Sequence, residues 1–259
     1  MAYNDDSALT NKVAQVTLGF WIMKICATTL GETGGDLLSM TMNVGYAASS
    51  VMLIGLLLVA LAFQVAGKRF HPALYWSVIL LTSTAGTTMS DFMDRTLGLG
   101  YAKGSLILLC CLLAVLVAWR ASEKTISVSS IRSRKAELFY WIAIVFSNTL
   151  GTALGDFLAD DSGLGFLGGA GLIAGLIAAT ALAAWTTRIN RVALFWIAFV
   201  LTRPFGATFG DLLTKPIEKG GLDFGTIGSS LFLATALIAL VVHTSIRHAQ
   251  TSVRVGRQD

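Results

Sequence analysis

Charge is scarce in this chain, and so are the residues that punctuate soluble folds. Only 13% of its 259 residues are charged, and it has three prolines, three cysteines and three histidines. The shortage of charge, beside 54% hydrophobic residues and a mean hydropathy of +0.70, excludes a soluble globular domain, because a core of this length cannot hide so much apolar surface. Few prolines and short connections leave no separate soluble domain to carry chemistry. Cys26, Cys110 and Cys111 all lie inside apolar runs without CxxC spacing, which excludes a disulfide framework and a thiolate metal site. His71, His243 and His248 fall at span edges, away from any ligand cluster. There is no GxSxG, HExxH or phosphate-cradling loop, so the chain is expected not to be an enzyme. Nor is there an ATPase motif, and any energy source is expected to be an ion gradient or a partner.

The sequence does contain apolar runs of about 20 residues, the length that crosses a bilayer core of about 30 Å. They fall near 16–38, 46–66, 73–93, 100–119, 138–159, 165–186, 192–213 and 225–246. The expectation is an all-α, polytopic membrane protein of about eight transmembrane helices. The opening stretch MAYNDDSALTNK is polar and partly acidic, and no small-residue cleavage site follows, so the first run reads as a retained helix rather than a signal peptide. Thirteen of the nineteen basic residues flank one side: Lys12, Lys68, Arg69, Arg120, Lys124, Arg132, Arg134, Lys135, Arg188, Arg191, Arg247, Arg254 and Arg257. The opposite loops hold Arg95, Lys103, Lys215 and Lys219 among acidic residues. The positive-inside rule then predicts cytoplasmic N and C termini. The net charge of +4 reflects this asymmetry and gives no case for nucleic-acid binding. The expected partners are the lipid bilayer and a cation.

Self-similarity is the strongest feature. FWIMKICATTLGETGGDLL, YWSVILLTSTAGTTMSDFM, YWIAIVFSNTLGTALGDFL and FWIAFVLTRPFGATFGDLL align without a gap from Phe20, Tyr75, Tyr140 and Phe195. Each has an aromatic-Trp pair, a glycine ten residues after the Trp (Gly31, Gly86, Gly151, Gly206) and an aspartate five later (Asp36, Asp91, Asp156, Asp211). A second apolar helix follows each, opened by NVGYA, GLGYA, GLGFL or GLDFG. Two spans per unit make the four copies parallel, and the expected arrangement is a pseudo-symmetric ring or a pair of pairs. The extra length between the second and third units divides the chain into a first half (1–122), a cytoplasmic linker (123–136) and a second half (137–259).

Counting back from each aspartate by four, which stacks side chains on one helix face, gives a polar stripe. It reads Asp36, Glu32, Thr28 and Lys24; Asp91, Thr87 and Ser83; Asp156, Thr152 and Asn148; Asp211, Ala207 and Arg203. Thr29, Thr84 and Thr149 lie beside it. Small-xxx-small steps adjoin the stripe (Gly31/Gly35, Gly86/Ser90, Gly151/Gly155, Gly206/Gly210) and let helices approach closely in lipid, which is expected to bring the aspartates together. The second helices lack such a stripe and are expected to form the outer layer.

A carboxylate inside an apolar span costs on the order of 2.5–3.5 kcal/mol. Four equivalent ones therefore call for cations, and of the stripe's own residues only Lys24 and Arg203 are basic, for charge balance or coupling. Carboxylates, hydroxyls and one amide are hard oxygen donors suited to Na⁺, K⁺, Mg²⁺, Ca²⁺ or Mn²⁺. The expected metal ligands are Asp36, Asp91, Asp156, Asp211 and Glu32. Thr28, Thr29, Ser83, Thr84, Thr87, Asn148, Thr149 and Thr152 would be the secondary lining. The function this implies is translocation of a hard cation, foremost Mn²⁺ or Mg²⁺, with no covalent cofactor. The alternatives are a K⁺/Na⁺ channel, a non-transporting membrane subunit or scaffold, and an intramembrane aspartyl hydrolase suggested by Ala153-Leu154-Gly155-Asp156. Four repeats can complete a ring within one chain, with a homo-oligomer left open.

With GETGGD, GTTMSD, GTALGD and GATFGD, the chain resembles a bacterial family of multi-pass membrane-anchored proteins that carry repeated Gly-Thr-Asp signatures. The resemblance spans the whole chain and implies a bacterial inner-membrane location, without assigning residue roles.

Overall fold

In the computed structural model the described residues are 12–67, 70–131 and 133–255, with no side-chain description at 130, 249 and 251–255. The opening residues 1–11 and the basic residues Lys68, Arg69, Arg132 and Arg257 lie outside them, as does the side chain of Arg254. The described residues are helical with no strand, in eight long helices: α1 Leu18–Asp36, α2 Tyr46–Ala66, α3 Pro72–Asp91, α4 Tyr101–Glu123, α5 Arg134–Asp156, α6 Gly165–Thr186, α7 Arg191–Thr214 and α8 Thr226–Val255. Six of them, α2 and α4 to α8, are long and apolar enough to cross a membrane. The other two, α1 and α3, have 19 and 20 residues, but Lys24, Glu32 and Asp36 in one and a run of Ser and Thr in the other dilute their apolarity.

These two polar helices are surrounded by the rest of the fold. Helices α1, α3, α5 and α7 form a closed ring in which each touches the next and α7 returns to α1. The second helix of each unit packs outside, against the first helix of the following unit: α2 on α3, α4 on α5, α6 on α7 and α8 on α1. Of the arrangements expected for parallel repeats, this is the ring. Apolar side chains such as Leu56, Phe63, Val117, Leu182 and Phe232 project outward from the second helices, as lipid-facing surfaces do. Gly45, Gly100, Gly165 and Gly225 at the starts of these helices have φ of 83, 73, 67 and 71°, a left-handed conformation that reverses the chain after each inner helix.

The small-xxx-small steps explain the ring closure. A Cβ on Gly31 would overlap Ser83, one on Gly86 the Asn148–Thr149 backbone, one on Gly151 Arg203, and one on Gly206 Thr28. Each glycine thus receives the residue three before the glycine of the next unit, four times around the circle. One turn on, Gly35 receives Thr87, Gly155 receives Ala207 and Gly210 receives Glu32. The glycines are the sockets and the polar stripe supplies the knobs, which fixes the register between neighbouring helices.

One end of the ring is closed by aromatic residues. Phe20, Tyr75, Tyr140 and Phe195 form the layer four turns from the aspartates, with the neighbouring Trp76, Trp141 and Trp196 buried beside them. The Tyr75 and Tyr140 hydroxyls meet at 2.6 Å. The connection between the halves folds under this end: Trp196 Nε1 donates to Ile126 O, and Ile131 is fully buried. Lys12 Nζ reaches the buried Glu137 at 2.8 Å and the Val65 carbonyl at 3.1 Å.

Candidate functional site: a carboxylate ring clasped by basic side chains

Because the stripe repeats every four residues, corresponding positions of the inner helices form layers down the ring axis. Next to the aromatic layer come Lys24, Ile79, Ile144 and Phe199, all buried. Lys24 is fully buried, with its ammonium 4.3 Å from the Phe199 ring centroid and 3.2 Å from Asn148 Oδ1 across the ring. It does not pair with a carboxylate among the described residues; Glu32 lies eight residues along the same helix, about 12 Å by helical rise. Asn148 in turn donates to Thr82 Oγ1 at 2.9 Å.

The next layers centre on Arg203. Its Nη1 lies 2.9 Å from Glu32 Oε2, while Nη2 donates to Thr87 Oγ1 at 2.5 Å, Thr152 Oγ1 at 2.6 Å and Ser83 O at 3.3 Å. Thr87 and Thr152 each donate to Glu32 Oε2 at 3.3 Å. One guanidinium therefore joins all four inner helices in a buried network. A planar donor fork with five N–H groups can do this where a lysine could not. Thr28 donates to Thr202 O on the neighbouring helix at 3.1 Å. Thr29, Thr84 and Thr149 direct their hydroxyls to the carbonyls of Ile25, Leu80 and Val145 on their own helices, outside the axial network.

The four aspartates form the final layer and are buried, none more than 4% exposed. They are not bare. Arg95 lies 3.0 Å from Asp91 and 3.3 Å from Asp156; Lys215 lies 2.7 Å from Asp36 and 3.1 Å from Asp211. Both bases stand four residues after a ring aspartate, the equivalent positions in the other units being Met40 and Asp160. An aspartate at a helix C-terminus is opposed by the helix dipole, so a cation one turn later offsets both the dipole and the charge. In the first three units the aspartate leads directly into a five-residue π-turn (Leu37–Thr41, Phe92–Thr96 and Phe157–Asp161), whose third residue, Ser39, Asp94 or Ala159, is the buried one. The fourth unit instead turns at Pro216.

The carboxylate oxygens of Glu32, Asp36 and Asp211 lie within 4.8 Å of one another. This donor set of three hard oxygens suits a divalent cation that takes carboxylate ligands at about 2.0–2.6 Å, and Lys215 holds an ammonium against two of the three. By sequence, Glu32 and the four aspartates against Lys24 and Arg203 leave three negative charges uncompensated on the stripe. The structure corrects that figure, because Arg95 and Lys215, loop residues by sequence, reach the site, so that five carboxylates face three cations, Arg95, Arg203 and Lys215, with Lys24 standing apart. The i,i+4 spacing from Asp91 and Asp211 was the available signal. The histidines lie elsewhere: His71 caps α3 and His248 packs edge-on to Phe70.

A family model described as Repeat of Unknown Function (DUF347) matches residues 19–70, 74–125, 139–190 and 194–249. The chain belongs to this family. Each DUF347 repeat begins one residue before an aromatic-Trp pair, so one repeat is one inner helix, its aspartate and one outer helix. No curated protein and no solved structure matches the chain significantly.

Proposed function

We propose that this DUF347 protein moves a hard cation, foremost a divalent metal such as Mn²⁺ or Mg²⁺, across a bacterial inner membrane that all eight helices span, with the aromatic end and both termini cytoplasmic. The observation that carries the reading is the buried convergence of Glu32, Asp36 and Asp211 on the axis, where an ammonium from the chain itself stands between carboxylates. A site that stabilises a tethered cation also stabilises a free one of higher charge, once the tether moves aside. Asp91 and Asp156 extend the acidic layer around the ring, and Thr87 and Thr152 supply neutral oxygens beneath it.

The layers favour a carrier over an open K⁺/Na⁺ channel, since Arg203, Lys24 and the aromatic residues fill the axis in turn. A hydrolase is disfavoured, because a catalytic aspartate pair must share a proton and water between its members. Here Arg95 separates Asp91 from Asp156 and Lys215 separates Asp36 from Asp211. The continuous close packing at the glycine sockets supports one other reading, a non-transporting membrane subunit or scaffold. Reconstitution in liposomes with uptake measured for Mn²⁺, Mg²⁺, K⁺ and Na⁺ separates the two: selective flux supports the carrier, and absence of flux from well-folded protein supports the scaffold.

A further inference from the structure

We propose that Lys215 is the gate residue of this site and that Arg95, its counterpart in the second repeat, is a fixed bolt. The inference rests on the cation reading and deepens it.

Four seams run between neighbouring inner helices. Two, α1/α3 and α5/α7, lie within a half of the chain; the others, α3/α5 and α7/α1, join the halves. Both clasps fall on the joining seams, Arg95 from α3 to α5 and Lys215 from α7 to α1. No salt bridge spans the seams within a half among the described residues. Separation of the halves at the carboxylate end therefore has to break one clasp or the other.

The two clasps are built differently. Arg95 is held beyond its aspartates by the second helices of two repeats: its Nη1 donates to Tyr46 Oη at 3.3 Å, and its guanidinium lies 6.0 Å from the Tyr46 ring centroid and 5.7 Å from that of Tyr101. These ring contacts and the hydrogen bond tie the guanidinium to two outer helices, although its side chain is 32% exposed. Lys215 is a point charge on a flexible stem, and among the described residues its ammonium contacts Asp36 and Asp211 and no aromatic face. It also begins the only one of the four post-aspartate segments that is not a π-turn, running through Pro216 and the left-handed Gly220. Lys215 stands over the cluster of Glu32, Asp36 and Asp211, and its side chain is 21% exposed whereas those of Asp36 and Asp211 are 3% and 6%. It is therefore the outermost charged group on the seam that leads to the densest carboxylates. Release of its ammonium to solvent leaves the deeper Arg203–Glu32 pair as the remaining charged tie across that seam and lets the seam open more often, while Arg95 keeps the opposite seam closed as the hinge.

The test does not depend on transport. Thr28 is fully buried in the Arg203 layer, two layers below the aspartates, where it fills the Gly206 socket across the α7/α1 seam, and Thr28→Cys is the reporter. In a background with Cys26, Cys110 and Cys111 replaced by alanine, labelling of Thr28→Cys by a charged thiosulfonate is timed on purified protein in detergent. Lys215→Met is expected to speed labelling about tenfold, the population shift expected from loss of a partly exposed double ion pair, and Lys215→Arg to leave it slow. Arg95→Met removes an equivalent clasp and is expected to speed labelling far less. Equal acceleration in the two methionine variants would mean general loosening and overturn the assignment, as would no acceleration in either. Failure of the cation reading shows separately, as absence of metal flux from protein whose labelling still obeys this pattern.

Discussion

Replacing Arg203 by methionine should be among the most damaging single changes in the chain, and removing Glu32 as well should undo most of the damage. Arg203 is fully buried, with one contact to Glu32 at 2.9 Å and three more to Thr87, Thr152 and the Ser83 carbonyl. In Arg203→Met the Glu32 carboxylate, 3% exposed, keeps only two threonine hydroxyls at 3.3 Å as donors. Removing one member of a buried ion pair costs about 3–5 kcal/mol, because an uncompensated charge stays behind, whereas replacing both members by neutral groups of similar volume is often close to neutral. The expectation is a loss of about 3–5 kcal/mol for Arg203→Met and about 1 kcal/mol for Glu32→Gln/Arg203→Met, giving a coupling of several kcal/mol. The assay is reversible unfolding in mixed micelles by sodium dodecyl sulfate, followed by tryptophan fluorescence, for the two single variants and the double. A loss below about 1 kcal/mol in Arg203→Met, or strict additivity in the double, would refute the view that this pair organises the ring.

Two further predictions concern packing and hydroxyl pairing. Gly86→Ala and Gly206→Ala place a Cβ within 3.0 and 2.8 Å of the facing backbone and should cost about 1–3 kcal/mol, while Gly55→Ala and Gly175→Ala, with open space at the same point, should be neutral or slightly stabilising; the same unfolding assay checks both sets. Either Tyr75→Phe or Tyr140→Phe leaves one buried hydroxyl without its partner at 2.6 Å and should cost about 1–3 kcal/mol, whereas the double variant should recover most of that loss, measured as shifts in Tm.

The repeats, the aspartate register and the glycine steps were legible in the sequence because each depends on spacing along one helix, and the ring preserves that spacing four times. The match of the DUF347 repeat boundaries to the aromatic-Trp pairs follows from the same regularity. What spacing within one helix cannot supply is the partner across the ring. Lys24 lies on the same stripe as Glu32 but turns to Asn148 and the Phe199 ring, since two helical turns put Glu32 out of reach and α5 and α7 come closer. Sorting loop charges by side of the membrane treats Arg95 and Lys215 as topological signals only. Their i,i+4 relation to the aspartates instead lays their charged ends on the buried carboxylates. By sequence the segment between the halves is only a linker, yet Ile131 within it is fully buried against the aromatic end. One apolar residue in a charged stretch gives no periodicity to detect.

The central claim, that the carboxylate layer carries a cation across the membrane, is tested most directly by the initial rate of Mn²⁺ uptake into liposomes. The comparison is between the wild-type chain and a variant with Asp36, Asp91, Asp156 and Asp211 all changed to Asn, each shown to be folded by its tryptophan fluorescence. The account predicts saturable uptake by the wild type that falls to the protein-free leak in the variant. Equal uptake by the two proteins, or none by the wild type with any of Mn²⁺, Mg²⁺, K⁺ and Na⁺, would contradict it.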